Sequence, residues 1–258
     1  MFKNSRRWLR RFLEAISAVL VFMSPARAAD ALVAVAANFK EAADVLAADF
    51  EMRTDHTITL ASGSTGKLYA QSINGAPFHV FLAADQERPA LLVENGSAVA
   101  GSQFTYAAGR LALWSAEPAR LANGDGEDAL RAGRFRRLAI ANPDLAPYGA
   151  AAKQVLQKLE IWDDVQSKII MGENVVHSFT YAATGNAEFG FVALSSIISL
   201  NATSAIYWEP PSDLYTAIKQ DAVLLKAGAA NEAAAAFIDY LKGDDARAII
   251  ARLGYGTD

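Results

Sequence analysis

The chain of 258 residues contains no cysteine, which excludes a disulfide framework, thiolate catalysis and any cysteine-ligated metal. Histidine is nearly as scarce. His56, His79 and His177 are the only three, none at metal-ligand spacing from another, and each is expected at a surface or strand end. Basic charge is in deficit, 24 Lys and Arg against 28 Asp and Glu. No apolar run approaches the roughly 20 residues needed to cross a bilayer. There is no short-period repeat, no low-complexity tract and no Ser/Gly/Pro-rich linker. Beads on a string are therefore a poorer expectation than lobes joined by strands.

What the chain does have begins at its amino end. Lys3, Arg6, Arg7, Arg10 and Arg11 precede an apolar stretch, Phe12 to Met23, broken only by Glu14. Ser24-Pro25-Ala26-Arg27-Ala28 follows. A basic segment, a short apolar segment and an Ala-x-Ala ending make a cleaved secretory signal over residues 1–28. Ser5-Arg6-Arg7-Trp8-Leu9 also has the look of a twin-arginine signal, a pairing that basic leaders produce often. Cleavage near Ala28 removes six of the 24 basic residues and one of the 28 acidic ones, leaving 18 against 27 and a formal charge of −9. That balance argues against nucleic acid, whose binding requires Lys and Arg to neutralise phosphates. An anionic ligand would have to be held by local dipoles against the global field.

Strand-like apolar runs alternate with amphipathic helical ones, the pattern of an α/β protein with mixed, mostly parallel sheets flanked by helices. Leu32–Ala36, Thr57–Leu60 and Val80–Ala83 read as strands. Between and after them lie a helix capped by Asn38 with Glu41 three residues on, a helix over Lys67–Ile73, and one over Arg88–Glu94 ended by Asn95-Gly96. A longer extended run, Phe104–Ser115, opens a second lobe. Its strands are expected at Leu138–Ala141, Ile169–Met171 and Phe189–Ala193, and its helices at Ala150–Leu159, Val175–Thr184 and Leu194–Leu200. Ala222–Leu225 is the last strand, followed by helices over Asn231–Lys242 and Asp244–Leu253. The expected division is 29–108 plus 221–258 for lobe I and 109–220 for lobe II.

Four segments stand just after a strand and just before a helix: Ala36-Ala37-Asn38, Gly63-Ser64-Thr65-Gly66, Pro147-Tyr148-Gly149 and Glu173-Asn174-Val175. In open α/β sheets ligands bind beyond the carboxyl ends of the strands. Helix starts there aim unpaired N–H groups and positive dipole ends at a common point, an anion site that needs no cationic side chain. Asn38, Ser64, Thr65 and Tyr148 add neutral donors; Val175 could act only through its backbone N–H. Taken singly, Asn38 reads as a helix cap, the Gly-Ser-Thr-Gly segment as a tight turn with glycine at positive φ, and Tyr148 as a packed loop aromatic. The repetition is what carries the reading. Two segments come from each lobe, which suits a cleft that closes by hinge motion.

Competing motifs fail on spacing. A phosphate-binding P-loop ending in Gly66-Lys67 would need a glycine where Ala61 stands and Ser or Thr where Leu68 stands. Ser64-Thr65-Gly66-Lys67 fits the Ser-x-x-Lys of acylating enzymes, but neither Lys-Thr-Gly nor Ser-Asp-Asn occurs. A Ser64/Lys67 acylating enzyme therefore stays a distant alternative. Lys40, Lys67 and Asp85 are candidates for the rim between the lobes.

With these residues in hand, the sequence resembles the periplasmic molybdate-binding proteins of ABC transporters. The resemblance is carried by Ala36-Ala37-Asn38-Phe39, by Ser62 to Gln71, by Asn74 to Asp85, by Ile140-Ala141-Asn142-Pro143 with Ala146-Pro147-Tyr148-Gly149, by Gly172-Glu173-Asn174-Val175 and by Gly190 to Leu194. It runs from about Leu32 to the carboxyl end. It implies a type II periplasmic-binding fold with two strand crossings, and a non-enzymatic, monomeric carrier without cofactor that binds molybdate or tungstate and docks on an inner-membrane permease. A binder of sulfate or another oxyanion is the alternative within the class. At the matching positions Asn38, Thr65 with Ser64 beside it, Tyr148 and Val175 would touch the oxygens of the anion, not molybdenum itself. Ala37 stands where some members carry a hydroxyl, Ala193 near where others carry a tyrosine, and His177 where polar amides are common.

Overall fold

Alternating apolar residues decide how the strands lie, and the computed structural model describes the result for residues 28–121, 125–200 and 206–257. Residues 1–27, with nearly all of the expected export signal, are outside the described residues. The first sheet is built from β1 (Asp30–Ala36), β2 (Thr57–Gly63), β3 (Val80–Leu82), β4 (Phe104–Gly109) and β10 (Ile218–Leu224), in the order β2-β1-β3-β10-β4. The second takes β5 (Leu111–Trp114), β6 (Leu138–Ala141), β7 (Ile169–Gly172), β8 (Phe189–Ala193) and β9 (Tyr207–Trp208), in the order β7-β6-β8-β5-β9. Both sheets are mixed. β1 is parallel to β2 and β3, and β6 to β7 and β8, whereas β10 and β5 run antiparallel to their neighbours. The antiparallel strands are those that enter from the opposite lobe, and their direction is set by the crossing.

Each sheet has a core on both faces because successive side chains point to opposite sides. In lobe I, Val33, Val35, Val80 and Leu82 pack against Leu46 and Phe50 of α1 (Lys40–Arg53), Phe237 of α9 (Glu232–Lys242) and Ile250 of α10 (Asp244–Arg252). The intervening Ala34 and Phe81 face Leu68 of α2 (Thr65–Ile73) and Leu92 of α3 (Glu87–Glu94). In lobe II, Leu138, Ile140, Phe189 and Phe191 meet Leu130 of α4 (Gly126–Ala132) and Val155 and Leu156 of α5 (Pro147–Lys158). A short helix, α6 (Trp162–Val165), follows α5. Val192 and Trp114 face Ala182 of α7 (Val175–Ala183) and Ile197 of α8 (Leu194–Ser199). Each fully buried Leu or Phe contributes roughly 1.5–3 kcal/mol, so both lobes are held chiefly by their own cores.

The chain crosses between the lobes twice, from Gly109 through Arg110 into β5, and from β9 into β10. Gly109 pairs with Ile218, which sets the crossings side by side. Arg110 clamps them with a forked ion pair to Glu209, at 2.6 and 2.8 Å from its Nη2.

Several local expectations are corrected by packing. The extended run Phe104–Ser115 is two strands in two sheets, split at Arg110. The last strand starts at Ile218 instead of Ala222: Gln220 and Asp221 are buried with side-chain partners, Asn38 for the first and Gln86, Gln103 and Thr105 for the second, while Lys219 stays exposed. Ser62 and Gly63 belong to β2 and Thr65 and Gly66 to α2, so the expected polar turn shrinks to Ser64. Neither Gly63 nor Gly66 has positive φ.

Candidate functional site

In each lobe the edge strand and the parallel strand beside it end in register, Ala36 beside Gly63 and Ala141 beside Gly172. The segments that follow thus emerge side by side at the cleft. After β1 the chain makes a 3-10 turn, Ala37–Phe39, before α1 begins. Asn38 does not cap α1: the cap position falls to Phe39, with no side-chain cap bond. Instead the Asn38 amide turns inward and its Nδ2 donates to Gln220 Oε1 at 2.9 Å. Its backbone carbonyl accepts from the Tyr255 hydroxyl at 2.5 Å. An N-cap gives up its side chain to its own helix, whereas Asn38 is freed for the cleft.

Ser64 is the N-cap residue of α2 and Thr65 its first residue, 2% and 1% exposed. Among the described residues the Ser64 hydroxyl has no hydrogen-bond partner. Thr65 Oγ1 accepts from the Ala84 N–H at 3.1 Å, leaving its own proton to donate. Gly66 is required by close approach: a Cβ there would lie 3.1 Å from the backbone of Leu145 in the opposite lobe, and its N–H donates across the cleft to the Leu145 carbonyl at 2.9 Å.

From lobe II, Pro147 takes the first position of α5, where its missing N–H costs nothing, so Tyr148 lies in a helical first turn and not in a loop. Tyr148 is 2% exposed; among the described residues its hydroxyl has no hydrogen-bond partner within ordinary distance, although the Asn38 amide lies close enough to act on it. Burial holds the Tyr148 phenol well above the ordinary tyrosine range, so it stays protonated and able to donate. Asn174 caps α7, accepting from the N–H groups of Val176 at 3.0 Å and His177 at 3.2 Å. The N–H of Val175 is passed over by that cap and, at the first helical position, lacks an intrahelical partner.

Asn38, Ser64, Thr65, Tyr148 and Val175 line one cavity, with Ala36, Ala37, Ala84, Ala146, Pro147 and Asn174. The cavity between them is about 10 Å³, far smaller than the roughly 300–1,000 Å³ of sites for organic ligands. Among the described residues its lining has no charged side chain. Neutral protons and three helix starts surround it. Such a surface suits a small, fully ionised oxyanion: charge-assisted hydrogen bonds are strong, and no buried cation has to be desolvated.

A family model described as bacterial extracellular solute-binding protein matches residues 31–256. The chain belongs to that family. It is 47% identical over 250 residues to the molybdate-binding protein ModA of Rhodobacter capsulatus, with 97% of each chain covered. It is also 47% identical over 249 residues to the molybdate-binding protein ModA of Azotobacter vinelandii, covering 96% of this chain and 98% of that one. Among solved structures, the periplasmic molybdate-binding protein of Azotobacter vinelandii superposes with a TM-score of 0.83 at 40% identity, over 87% of this chain and 98% of the other. The two-lobed α/β architecture of the binding-protein fold is therefore present here.

In this solute-binding protein the rim residues have distinct surroundings. Lys67 pairs with Glu173 across the cleft at 3.1 Å, both partly exposed. An ion-paired ammonium at the rim is a poor general base, which leaves the Ser64/Lys67 alternative without its activator. Asp85 pairs with Arg88, whose Nη2 reaches across to the Asp144 carbonyl at 2.9 Å; burial holds the Asp85 carboxyl above its usual range despite that partner. Lys40 pairs with Asp44 on its own helix at 2.6 Å and borders an outer mouth shared with Glu41, His177 and Ser196. Of the other histidines, His79 Nδ1 accepts from the Leu32 N–H at 3.0 Å and His56 Nδ1 from the Ala29 N–H at 3.3 Å. Sequence reasoning missed Gln220 and Tyr255. A Gln-Asp pair directly before the apolar run Ala222–Leu225 was the available signal for the first; nothing local marks the second.

Proposed function

We propose that this protein captures molybdate, with tungstate as an equivalent ligand, and delivers it to the permease of an ABC transporter. The observation that carries the reading is the small, uncharged, donor-rich cavity between the lobes. The names of relatives at 47% identity along the whole chain support it. Asn38, Ser64, Thr65 and Tyr148 donate through side chains and Val175 through its backbone N–H. The anion enters between open lobes, recruits donors from both and shifts the population toward the closed form. Binding is the only chemistry, and no cofactor takes part. Signal cleavage near Ala28 and residence of a monomer in the periplasm belong to the same reading. So does the division into lobe I (29–108 plus 221–258) and lobe II (109–220).

Calorimetric titration of the mature protein with molybdate, tungstate, sulfate and phosphate tests it. Tight binding of the first two and weak or absent binding of the others is expected. No heat with any of the four would sink the oxyanion reading, and a preference for sulfate would move the protein to another ligand within the class.

A further inference from the structure

Gln220 is fully buried in the second crossing strand. A bulge between Gln220 and Asp221 interrupts the pairing of β10 with β4 at this point, and bulges re-aim side chains. Here the Gln220 amide ends behind the ligand cavity. Its Oε1 accepts from Asn38 Nδ2 at 2.9 Å, with the Tyr106 hydroxyl, which donates to the Ala83 carbonyl at 3.0 Å, a further 3.3 Å neighbour. The Asn38 bond on the oxygen sets the amide orientation, so Nε2 faces the opposite way. It faces Gly109 and Tyr148: a methyl group built on Gly109 would meet Tyr148 Oη at 2.3 Å and Gln220 Nε2 at 3.0 Å. The absent Cβ leaves room for both atoms beside Gly109, and among the described residues neither has a hydrogen-bond partner.

An amide nitrogen has protons and no acceptor lone pair. We propose that Gln220 is the positioning residue that sets the donor polarity of the site. Its oxygen takes one Asn38 amide proton, which leaves the second for the ligand. Its nitrogen offers the phenol of Tyr148 nothing to donate to, which leaves the phenol proton for the ligand as well. One residue from the crossing strand thereby orients a donor from each lobe, and it does so without lining the cavity. The inference rests on the oxyanion reading above.

The test is a double-mutant cycle on molybdate affinity, measured by calorimetry with Gln220→Met, Tyr148→Phe and the double variant, each checked for a cooperative thermal transition. Each single change should weaken binding by about 10-fold, the loss of one donor to a charged group. If Gln220 acts through Tyr148, the double variant loses far less than the product of the two factors. Gln220→Glu keeps the length of the side chain and turns an acceptor toward the phenol. It should weaken binding more than Gln220→Met, and adding Tyr148→Phe to it should cost nothing further. Should Gln220→Met fail to fold, the cycle through Gln220→Glu decides alone. Losses that simply multiply in the cycle would overturn the assignment and make Gln220 a strut. Absence of molybdate binding by the unaltered protein would instead remove the oxyanion reading itself.

Discussion

Lobe I meets the cavity with side chains, Asn38, Ser64 and Thr65, whereas lobe II meets it with one phenol and the start of a capped helix. The strand orders of the two sheets correspond, with β1 and β6 each next to an edge strand, β3 and β8 central, and each sheet receiving one crossing strand from the other lobe. Same architecture, different chemistry: in lobe I the helices α1 and α2 lack side-chain cap bonds, so Asn38, Ser64 and Thr65 are not spent on capping. In lobe II Asn174 spends its side chain on α7, and the contribution passes to a backbone N–H. The glycines differ likewise. In Gly149 the crowding is within lobe II, while in Gly66 it is between lobes.

That contrast predicts its largest effect for Gly149→Ala. The new Cβ would stand 2.2 Å from the Ala141 carbonyl, rigid backbone of the same lobe, so stability should fall by about 3 kcal/mol, the upper range for overpacking. Urea unfolding that matches the unaltered protein would show that α5 can shift without cost. Next, Asn38→Ala should weaken molybdate binding by about 2–3 kcal/mol and Tyr148→Phe by about 1.4, the tenfold loss of one donor to a charged group. The alanine change also strands Gln220 Oε1. Equal losses in calorimetry would erase the asymmetry between the lobes.

High pH reads the buried phenols together. Burial raises Tyr106 and Tyr148 well above the ordinary tyrosine range, and raises Tyr255 also. A folded pKa above the unfolded one means that the unfolded chain loses its protons first. The stability these phenols contribute is thus full below about pH 10 and falls as pH rises beyond it, by about 1.4 kcal/mol per unit for each phenol. A denaturation series that stays flat above that point would mean the phenols ionise in place. Gly66→Ala should leave unliganded stability within about 0.5 kcal/mol and weaken ligand binding by about 1 kcal/mol, because only the closed state feels the crowding. Lys67→Met removes an exposed pair and should change affinity by less than about 1 kcal/mol, with the difference vanishing at high salt. A larger effect would make that pair a true latch.

The strands were legible wherever apolar residues alternated, as at Val33 to Ala36 and Leu138 to Ala141. The same holds for helices with punctuated ends, such as α7 with Asn174 before it and Gly185 after it. Convergence of the five expected contacts on one cavity followed from strand ends in register. What misled was locality. Asn38 followed by Glu41 has the spacing of a capping box, but the Gln220 amide competes for the side chain. Gly66 looked like a turn glycine, and its reason for being glycine lies in Leu145 of the other lobe. Ile218 to Asp221 mixes apolar and charged residues, so periodicity starts the strand at Ala222; Gln220 and Asp221 find their partners in residues distant in sequence, Asn38 and Thr105 among them.

The sequence by itself determined the alternation of strands and helices and the four helix starts at strand ends, because periods of two and 3.6 and the chemistry of a helix's first turn act over a few residues. Tertiary structure alone decided what those starts share. Asn38 and Gln220 are 182 residues apart, and Tyr255 is 217 from the carbonyl it holds. Partners at such separations leave no periodic trace in the chain, and only the two crossings between the lobes bring them within a hydrogen bond.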